Sequence, residues 1–166
     1  MTDPAGHEGA GAESEEVCTT TPEQNKETVS AFAREVFGNK NLQYAEDHLA
    51  DDFVEHQVFP GTTPDKKGAI DSYQIFFAAS PDMTAEIHDM VAAGDRVAIR
   101  ATYRGTDKGG FIPGMPATGK PFAMPAIYIV RMDDEGKIAE HWGVVDTIAT
   151  MGQLGLLPSP DEAPPA

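Results

Sequence analysis

The spacing of apolar residues changes once along this chain, near residue 84. Upstream, apolar side chains recur at helical intervals over residues 29–37 and 70–77, which predicts helices with one buried face. Downstream, they alternate with polar side chains in the runs 84–91, 96–106, 122–132 and 137–145. That alternation predicts consecutive strands joined as hairpins. The chain is therefore restricted to an α+β architecture, in which three N-terminal helices pack on one face of a curved antiparallel sheet.

Local signals mark where the helices begin and end. Thr21 is predicted to cap the first helix, with Pro22 at its first position and Gln24 completing a capping box. Gly38-Asn39 is predicted to end that helix. Two further helices are predicted over residues 41–49 and 63–80, with a strand over residues 53–58 between them. The helical part of the domain is thus complete before the strand meander starts.

Charge is distributed unevenly along the 166 residues, which carry a formal net charge of -15. The acidic ends lack Lys and Arg, and such a balance repels phosphate backbones and anionic membranes. We therefore expect neither nucleic-acid nor membrane binding. The predicted organisation is a disordered acidic leader over residues 1–20, one domain over residues 21–157 and a disordered Pro-rich tail over residues 158–166.

Cysteine usage and the apolar runs bear on the compartment. Cys18 is the only cysteine, so no internal disulfide can form. The chain does not open with the basic and apolar segments of a secretory signal, and no apolar run approaches the ~20 residues of a membrane span. The expectation is a cytoplasmic protein.

The segment 136–146 carries a histidine, the only tryptophan and an aspartate on an otherwise apolar strand. His141 and Asp146 are the predicted catalytic residues, because an imidazole and a carboxylate can act as base and orienting partner, or as acid and base. Alternation along a strand sends them to opposite faces, so they share a pocket only if the strand bulges near Gly143 or stops early. Asp146 is alternatively a helix N-cap, and His141 a hydrogen-bonded core histidine.

Further side chains are candidates for a substrate pocket. His56 is predicted to point inward from the first strand. If Met132 flanks a tight turn, Tyr128 lies opposite His141 and either donates to a substrate oxygen or holds the imidazole. Trp142 belongs to the pocket wall, to the core or to a subunit interface. The acidic neighbours of the two histidines, Glu55 and Glu140, are predicted to be solvated.

The stretch 107–119 is rich in Gly and Pro and lacks a phosphate-binding pattern. Its apolar Phe111, Ile112 and Met115 fit a lid over an apolar ligand, or else anchor the loop to the body. His56, His141 and Asp146 are of types that also suit zinc or iron, but no H-x-H or H-E-x-x-H spacing is present, so no metal site is predicted.

The order of the elements and three motifs resemble a known family. The motifs are Phe53-Val54-Glu55-His56, Gly114-Met115-Pro116-Ala117-Thr118-Gly119-Lys120, and the stretch from Gly136-Lys137-Ile138-Ala139-Glu140-His141-Trp142 through Gln153-Leu154-Gly155. Together they resemble the SnoaL-like polyketide cyclases, or ester cyclases, of the nuclear-transport-factor-2-like fold. The resemblance covers roughly residues 22–157, and it is more specific for the family than for a substrate.

This resemblance implies a cone-shaped barrel with a pocket between sheet and helices, no cofactor, and a homodimer or higher homo-oligomer. Well-understood members close a ring on an aromatic polyketide methyl ester by an intramolecular aldol reaction, with an acidic pocket residue as base. Asp146 is one position for that acid, and His141 is the other, with a different residue type.

The expected function is therefore a cofactor-independent cyclase or isomerase-type enzyme that acts on a small apolar carbonyl compound, with a polyketide ester as the example. The second hypothesis is dehydration or epoxide opening in the same pocket, since either reaction needs the same base and donor. The third is a non-catalytic module for small-molecule binding or dimerisation.

Overall fold

The computed structural model describes residues 19–157. Residues 1–18 of the predicted leader and the predicted tail 158–166 lie outside the described residues. Thr19, at the end of the predicted leader, is described: its hydroxyl donates to the main-chain carbonyl of Asp134 in a turn of the domain.

The described residues form four α-helices, one π-helical segment and five strands. The helices are α1 (Pro22–Phe32), α2 (Leu42–His48), α3 (Lys66–Ala79) and α4 (Thr147–Leu154), and the π-helical segment is Ala33–Gly38. The strands are β1 (Leu49–Glu55), β2 (Thr84–Ala93), β3 (Arg96–Thr106), β4 (Pro121–Met132) and β5 (Ile138–Val145).

The start of α1 confirms the predicted capping box. Thr21 Oγ1 accepts from the Gln24 amide at 3.2 Å, and Gln24 Oε1 accepts from the Thr21 amide at 2.8 Å. The helix passes into the π-helical segment, which buries Val36 and Phe37 and ends at Gly38 as predicted.

The predicted start of α3 at Thr63 was wrong. Asp65 is the N-cap: its Oδ1 accepts from the Gly68 amide at 2.9 Å. Thr63 instead donates its hydroxyl to Asp65 Oδ1 at 2.6 Å and so supports the cap from outside the helix. Two residues of capping type lie close together here, and the contact with Gly68 decides between them.

The sheet confirms the α+β architecture and adds a parallel pair. Its strand order is β1-β5-β4-β3-β2, in which β2 to β5 pair antiparallel and β1 pairs parallel with β5. The predicted strand 53–58 is therefore displaced to Leu49–Glu55, directly after α2. The two edge strands do not pair with each other, so the curved sheet stays open.

The helices cover one face of the sheet. The α1 helix packs on β2 and β3, and α3 packs on β1. Apolar side chains from both layers form one buried cluster, which includes Phe32, Val36, Leu49, Phe53, Val97 and Met132. Within residues 19–157, no helix combines the length and hydropathy needed to cross a membrane.

Candidate active site

A cavity of about 400 Å³ lies between the helices and the inner face of the sheet. Its wall is mostly apolar and rich in phenylalanine, with Phe32, Phe37, Phe53, Phe59, Phe76 and Phe111 among the lining residues. The polar lining side chains are Glu55, Gln57, Thr62, Ser72, Tyr73, Tyr103, Tyr128, His141 and Thr147. Neither lysine nor arginine lines the cavity among the described residues. This is the kind of chamber that takes an uncharged, largely apolar molecule.

His141 and Glu55 pair with each other within this cavity. His141 Nδ1 lies 2.8 Å from Glu55 Oε1 and 2.9 Å from Oε2. The parallel pairing of β1 with β5 sets Glu55 directly beside His141, so both side chains project from the same face. The Glu55 side chain is only 13% exposed, so the predicted solvation of Glu55 was wrong.

The contact with Glu55 fixes the roles of the two ring nitrogens. A carboxylate only accepts hydrogen bonds, so Nδ1 donates and the neutral ring keeps Nε2 as its basic nitrogen. Within residues 19–157, Nε2 has no hydrogen-bond partner. Glu55 Oε1 also accepts from the Gln57 amide at 2.8 Å, which holds the carboxylate in place. The arrangement is that of a base and its orienting carboxylate.

Three tyrosines add neutral donors to the site. Burial raises the pKa of Tyr103 to about 12. Burial also raises the pKa values of Tyr73 and Tyr128 above that of an ordinary tyrosine, and the negative charge of Glu55 adds to the shift in all three. These phenols therefore remain protonated across the physiological range and can donate to a developing oxyanion.

Tyr128 lies next to His141, although the predicted register was wrong. Val130 is directly opposite His141, and Tyr128 pairs with Gly143. The Tyr128 and His141 rings still approach diagonally, with their centroids 5.1 Å apart. The predicted neighbourhood of the two side chains is thus present through a different pairing.

A β-bulge lies in β5, but not near Gly143, where a bulge would have been needed to bring Asp146 into the pocket with His141. Met132 pairs with Ile138 while Arg131 pairs with Glu140, so Ala139 is the extra residue. The bulge lets Ile138 and His141 both line the cavity. The bulge precedes His141, and the pairing with β4 is regular from His141 to Val145. No bulge therefore turns Asp146, the residue after Val145, toward the cavity.

Asp146 lies outside the cavity, and the structure does not bring it together with His141. Its Oδ1 accepts from the Ala149 amide at 2.8 Å and so caps α4, and its side chain is exposed. Strand alternation accounts for this placement, since β5 ends at Val145 without a second bulge. The geometry therefore matches the capping interpretation, and Glu55 holds the place next to His141 that was predicted for Asp146.

His56 and Trp142 lie on the outer face of the sheet, so the inward orientation predicted for His56 was wrong. His56 stacks on Trp142 with ring centroids 4.5 Å apart, and its Nε2 lies 2.8 Å from Glu140 Oε2. Glu140 Oε1 also accepts from Arg131 Nε at 2.5 Å. The hydrogen bonds from His56 and Arg131 hold the pKa of Glu140 below its usual range. Neither His56 nor Trp142 lines the cavity.

The loop between β3 and β4 contributes two of its three predicted apolar residues to the cavity. Phe111 is buried and lines the cavity together with Ile112, whereas Met115 is 39% exposed and does not line it. The fully buried Asp107 anchors the loop: its carboxylate accepts from the amides of Phe111 at 2.6 Å, Thr118 at 2.8 Å and Gly110 at 3.0 Å. The loop is therefore a fixed wall of the cavity at Phe111.

Sequence reasoning missed Glu55, Gln57, Tyr73 and Tyr103. One signal for Glu55 was present, because the dipeptide Glu-His occurs at 55–56 and again at 140–141. Because β1 and β5 run parallel, Glu55 of the first dipeptide lies beside His141 on the inner face. Glu140 of the second dipeptide bonds His56 on the outer face. No cluster of three His, Cys, Asp or Glu side chains suited to a metal ion occurs within the described range 19–157.

Comparison with known proteins identifies the family. The family model of SnoaL-like polyketide cyclases matches residues 27–154. The structure of IdmH, a candidate polyketide cyclase from Streptomyces antibioticus, is 35% identical, has a TM-score of 0.68, and the match covers 80% of this chain and 99% of IdmH. TsrD from Streptomyces laurentii is 22% identical with a TM-score of 0.74, covering 83% of this chain and 99% of TsrD.

AclR from Streptomyces galilaeus, a candidate hydroxylase, is 23% identical with a TM-score of 0.70, and the match covers 84% of this chain and 89% of AclR. TsrD and AclR, at these identities, show the fold alone. No curated protein gives a significant match. The family model spans most of the chain, and the match to IdmH covers nearly all of that protein. The chain belongs to the family of SnoaL-like polyketide cyclases.

Proposed function

We propose that this protein is a cofactor-independent cyclase that closes a ring by an intramolecular aldol reaction on a small apolar carbonyl compound of the polyketide ester type. The observation that carries the proposal is the His141–Glu55 pair, which lines an apolar cavity whose other ionisable side chains are neutral tyrosines. Membership of the family and the similarity to IdmH support a cyclase rather than another use of the cavity.

His141 acts first as the general base. Its Nε2 removes a proton from a carbon beside the substrate carbonyl, and the C–H electron pair becomes the enolate. Glu55 holds the ring through Nδ1 and stabilises the imidazolium that forms. Tyr128 donates a hydrogen bond to the enolate oxygen, and its buried position makes that interaction stronger than it would be in water.

Ring closure then returns the proton. The enolate carbon attacks a second carbonyl carbon of the same molecule, so a carbon–carbon bond forms and the attacked carbonyl becomes an alkoxide. The alkoxide takes the proton from Nε2 of His141, which regenerates the neutral imidazole. The aromatic walls of the cavity hold the substrate in a folded conformation, which brings its two reacting carbons together.

Deuterium uptake tests the first step without knowledge of the natural substrate. We suggest 2-tetralone, a neutral bicyclic ketone with an acidic carbon between the ring and the carbonyl, incubated with the protein in D₂O and followed by NMR. The wild type is expected to accelerate exchange, and His141→Gln to lose about 100-fold or more of that acceleration. Glu55→Gln should give an intermediate rate, because the base is still present but less well oriented.

The matched control is His88→Gln, since His88 lies on β2 outside the cavity and contacts Thr102. Wild-type exchange by His141→Gln would show that His141 is not the base. Exchange itself distinguishes an enolate route from epoxide opening, which needs no proton removed from carbon. Binding of the ketone without any exchange would favour the non-catalytic interpretation.

A further inference from the structure

Two rows of side chains cross the inner face of the sheet next to one another. In the first row, Glu55 of β1 is beside His141 of β5. In the second row, Gly143 of β5 is beside Tyr128 of β4. Continuing the β1–β5 pairing by two residues places Gln57 on the other side of Gly143. The second row is therefore an amide, a glycine and a phenol, directly adjacent to the proposed base.

Gly143 allows these side chains to meet. A Cβ on Gly143 would lie 2.6 Å from Gln57 Oε1, 2.7 Å from Tyr128 Cδ1 and 3.0 Å from His141 Cε1. Such distances are shorter than van der Waals contact, so the amide, the phenol ring and the imidazole occupy space that any other residue would take. The atoms that meet over this glycine are the amide oxygen of Gln57, a ring carbon of Tyr128 and the His141 carbon that is bonded to Nε2.

Gln57 is exposed to solvent, and its main chain is tied to another group of the site. Its main-chain amide donates to Glu55 Oε1 at 2.8 Å, which ties its position to that of the His141–Glu55 pair. Its side chain lines the cavity, and its amide nitrogen has no hydrogen-bond acceptor within residues 19–157. An unused donor of this kind, next to a base, suits a carbonyl oxygen of a ligand.

We propose that the Gln57 amide binds the carbonyl oxygen of the compound in the cavity and thereby presents the adjacent carbon to His141. Gln57 and Tyr128 then approach the same oxygen from opposite sides of Gly143. The selectivity that results is for a carbonyl group over a methylene group at that position. Which carbon reacts rests on the proposed function, but recognition of the carbonyl by Gln57 does not.

A matched pair of ligands tests this recognition by binding alone. 2-Tetralone and tetralin share their ring system and differ by a carbonyl in place of a methylene. The dissociation constant of each is measured by protein NMR titration, for the wild type and for Gln57→Met. The ratio of affinities, ketone to hydrocarbon, is expected to fall roughly fivefold in Gln57→Met, which is the value of one neutral hydrogen bond.

Gln57→Glu keeps the shape of the side chain, replaces the donor with an acceptor, and is expected to lower the same ratio at least as much. Gln74→Met makes the same change on α3 outside the cavity and should leave the ratio at the wild-type value. An unchanged ratio in both Gln57 variants would overturn the inference. A lowered ratio in a protein that shows no deuterium exchange would uphold Gln57 and refute the proposed reaction.

Discussion

Gly143, the smallest residue of the site, is the one most closely surrounded by functional side chains. Gly143 has ordinary strand geometry and pairs regularly with Tyr128, so backbone freedom is not the reason for a glycine. The reason is space, because three functional side chains converge where its Cβ would be. A methyl group there would have to displace at least one of Gln57, Tyr128 and His141.

Gly143→Ala is therefore expected to slow deuterium exchange into 2-tetralone by at least tenfold and to cost about 1–3 kcal/mol of unfolding free energy through overpacking. Exchange is followed by NMR, and stability by urea denaturation. Gly38→Ala is the matched control, since a Cβ at Gly38 would meet nothing within 4 Å. Wild-type exchange by Gly143→Ala would mean that the close approach over Gly143 is not needed for activity.

The two histidines of the Glu-His dipeptides show how far residue type alone can be interpreted. His56 and His141 have the same acidic neighbour, and each bonds a glutamate on the opposite strand. Only the pairing of β1 with β5 decides that His141 faces the cavity and His56 the outside. Since that pairing joins distant parts of the chain, the spacing within either strand contains no information about it.

At the scale of the elements, helix α4 gives Asp146 a structural role, which can be tested separately from the catalytic role predicted for it. Asp146 begins this helix through a side-chain cap, and the helix packs on β4. Asn caps a helix about as well as Asp does, because its oxygen accepts the same amide hydrogen bond, whereas Ala does not. The two substitutions therefore have different expected effects.

Asp146→Ala is expected to lower the free energy of unfolding by about 1 kcal/mol, and Asp146→Asn to change it by only a few tenths. Both variants should keep the wild-type rate of deuterium exchange when fully folded. Urea denaturation gives the first result and NMR exchange the second. If Asp146→Asn were stable but lost exchange, the carboxylate of Asp146 would have a chemical role that the cap does not explain.

The elements differ in how well local sequence predicts them. The start of α1 was predicted correctly because its capping box is formed by residues three positions apart. The start of α3 was not, because Thr63 and Asp65 are both of capping type and only Asp65 makes the cap. The bounds of β1 were not, because its pairing with the distant strand β5 decides them. The bulge at Ala139 was also missed, since it adjusts β5 to both of its neighbours and leaves no local signature.

The free energy of unfolding of the whole domain is expected to fall at alkaline pH, because the tyrosines of its cavity ionise less readily in the folded state than in the unfolded state. Burial raises the pKa of Tyr103 to about 12, against a value of ~10 in the unfolded chain. The folded state then holds the phenol proton more tightly than the unfolded state does. Its contribution to stability is complete below pH ~10 and is lost as the pH rises from there through about 12.

Tyr103→Phe should therefore lose less stability than the wild type when the pH is raised from 9 to 11. Urea denaturation at both pH values measures the difference, and each variant serves as its own reference at pH 9. An equal loss in the two proteins would show that ionisation of Tyr103 is not coupled to unfolding.

The parallel pairing of β1 with β5 also has a consequence for folding. The side chains of Glu55 and His141 are separated by 86 positions in the chain, so their contact requires the closure of a long loop. The helices and the β2–β4 meander can form from nearer neighbours, but the base acquires its carboxylate only when the last strand reaches the first. Non-local pairings of this kind slow folding, because the entropy of loop closure is lost before the contact is made. Contacts between near neighbours in the sequence can build the cavity wall, but they cannot by themselves supply the reactive pair.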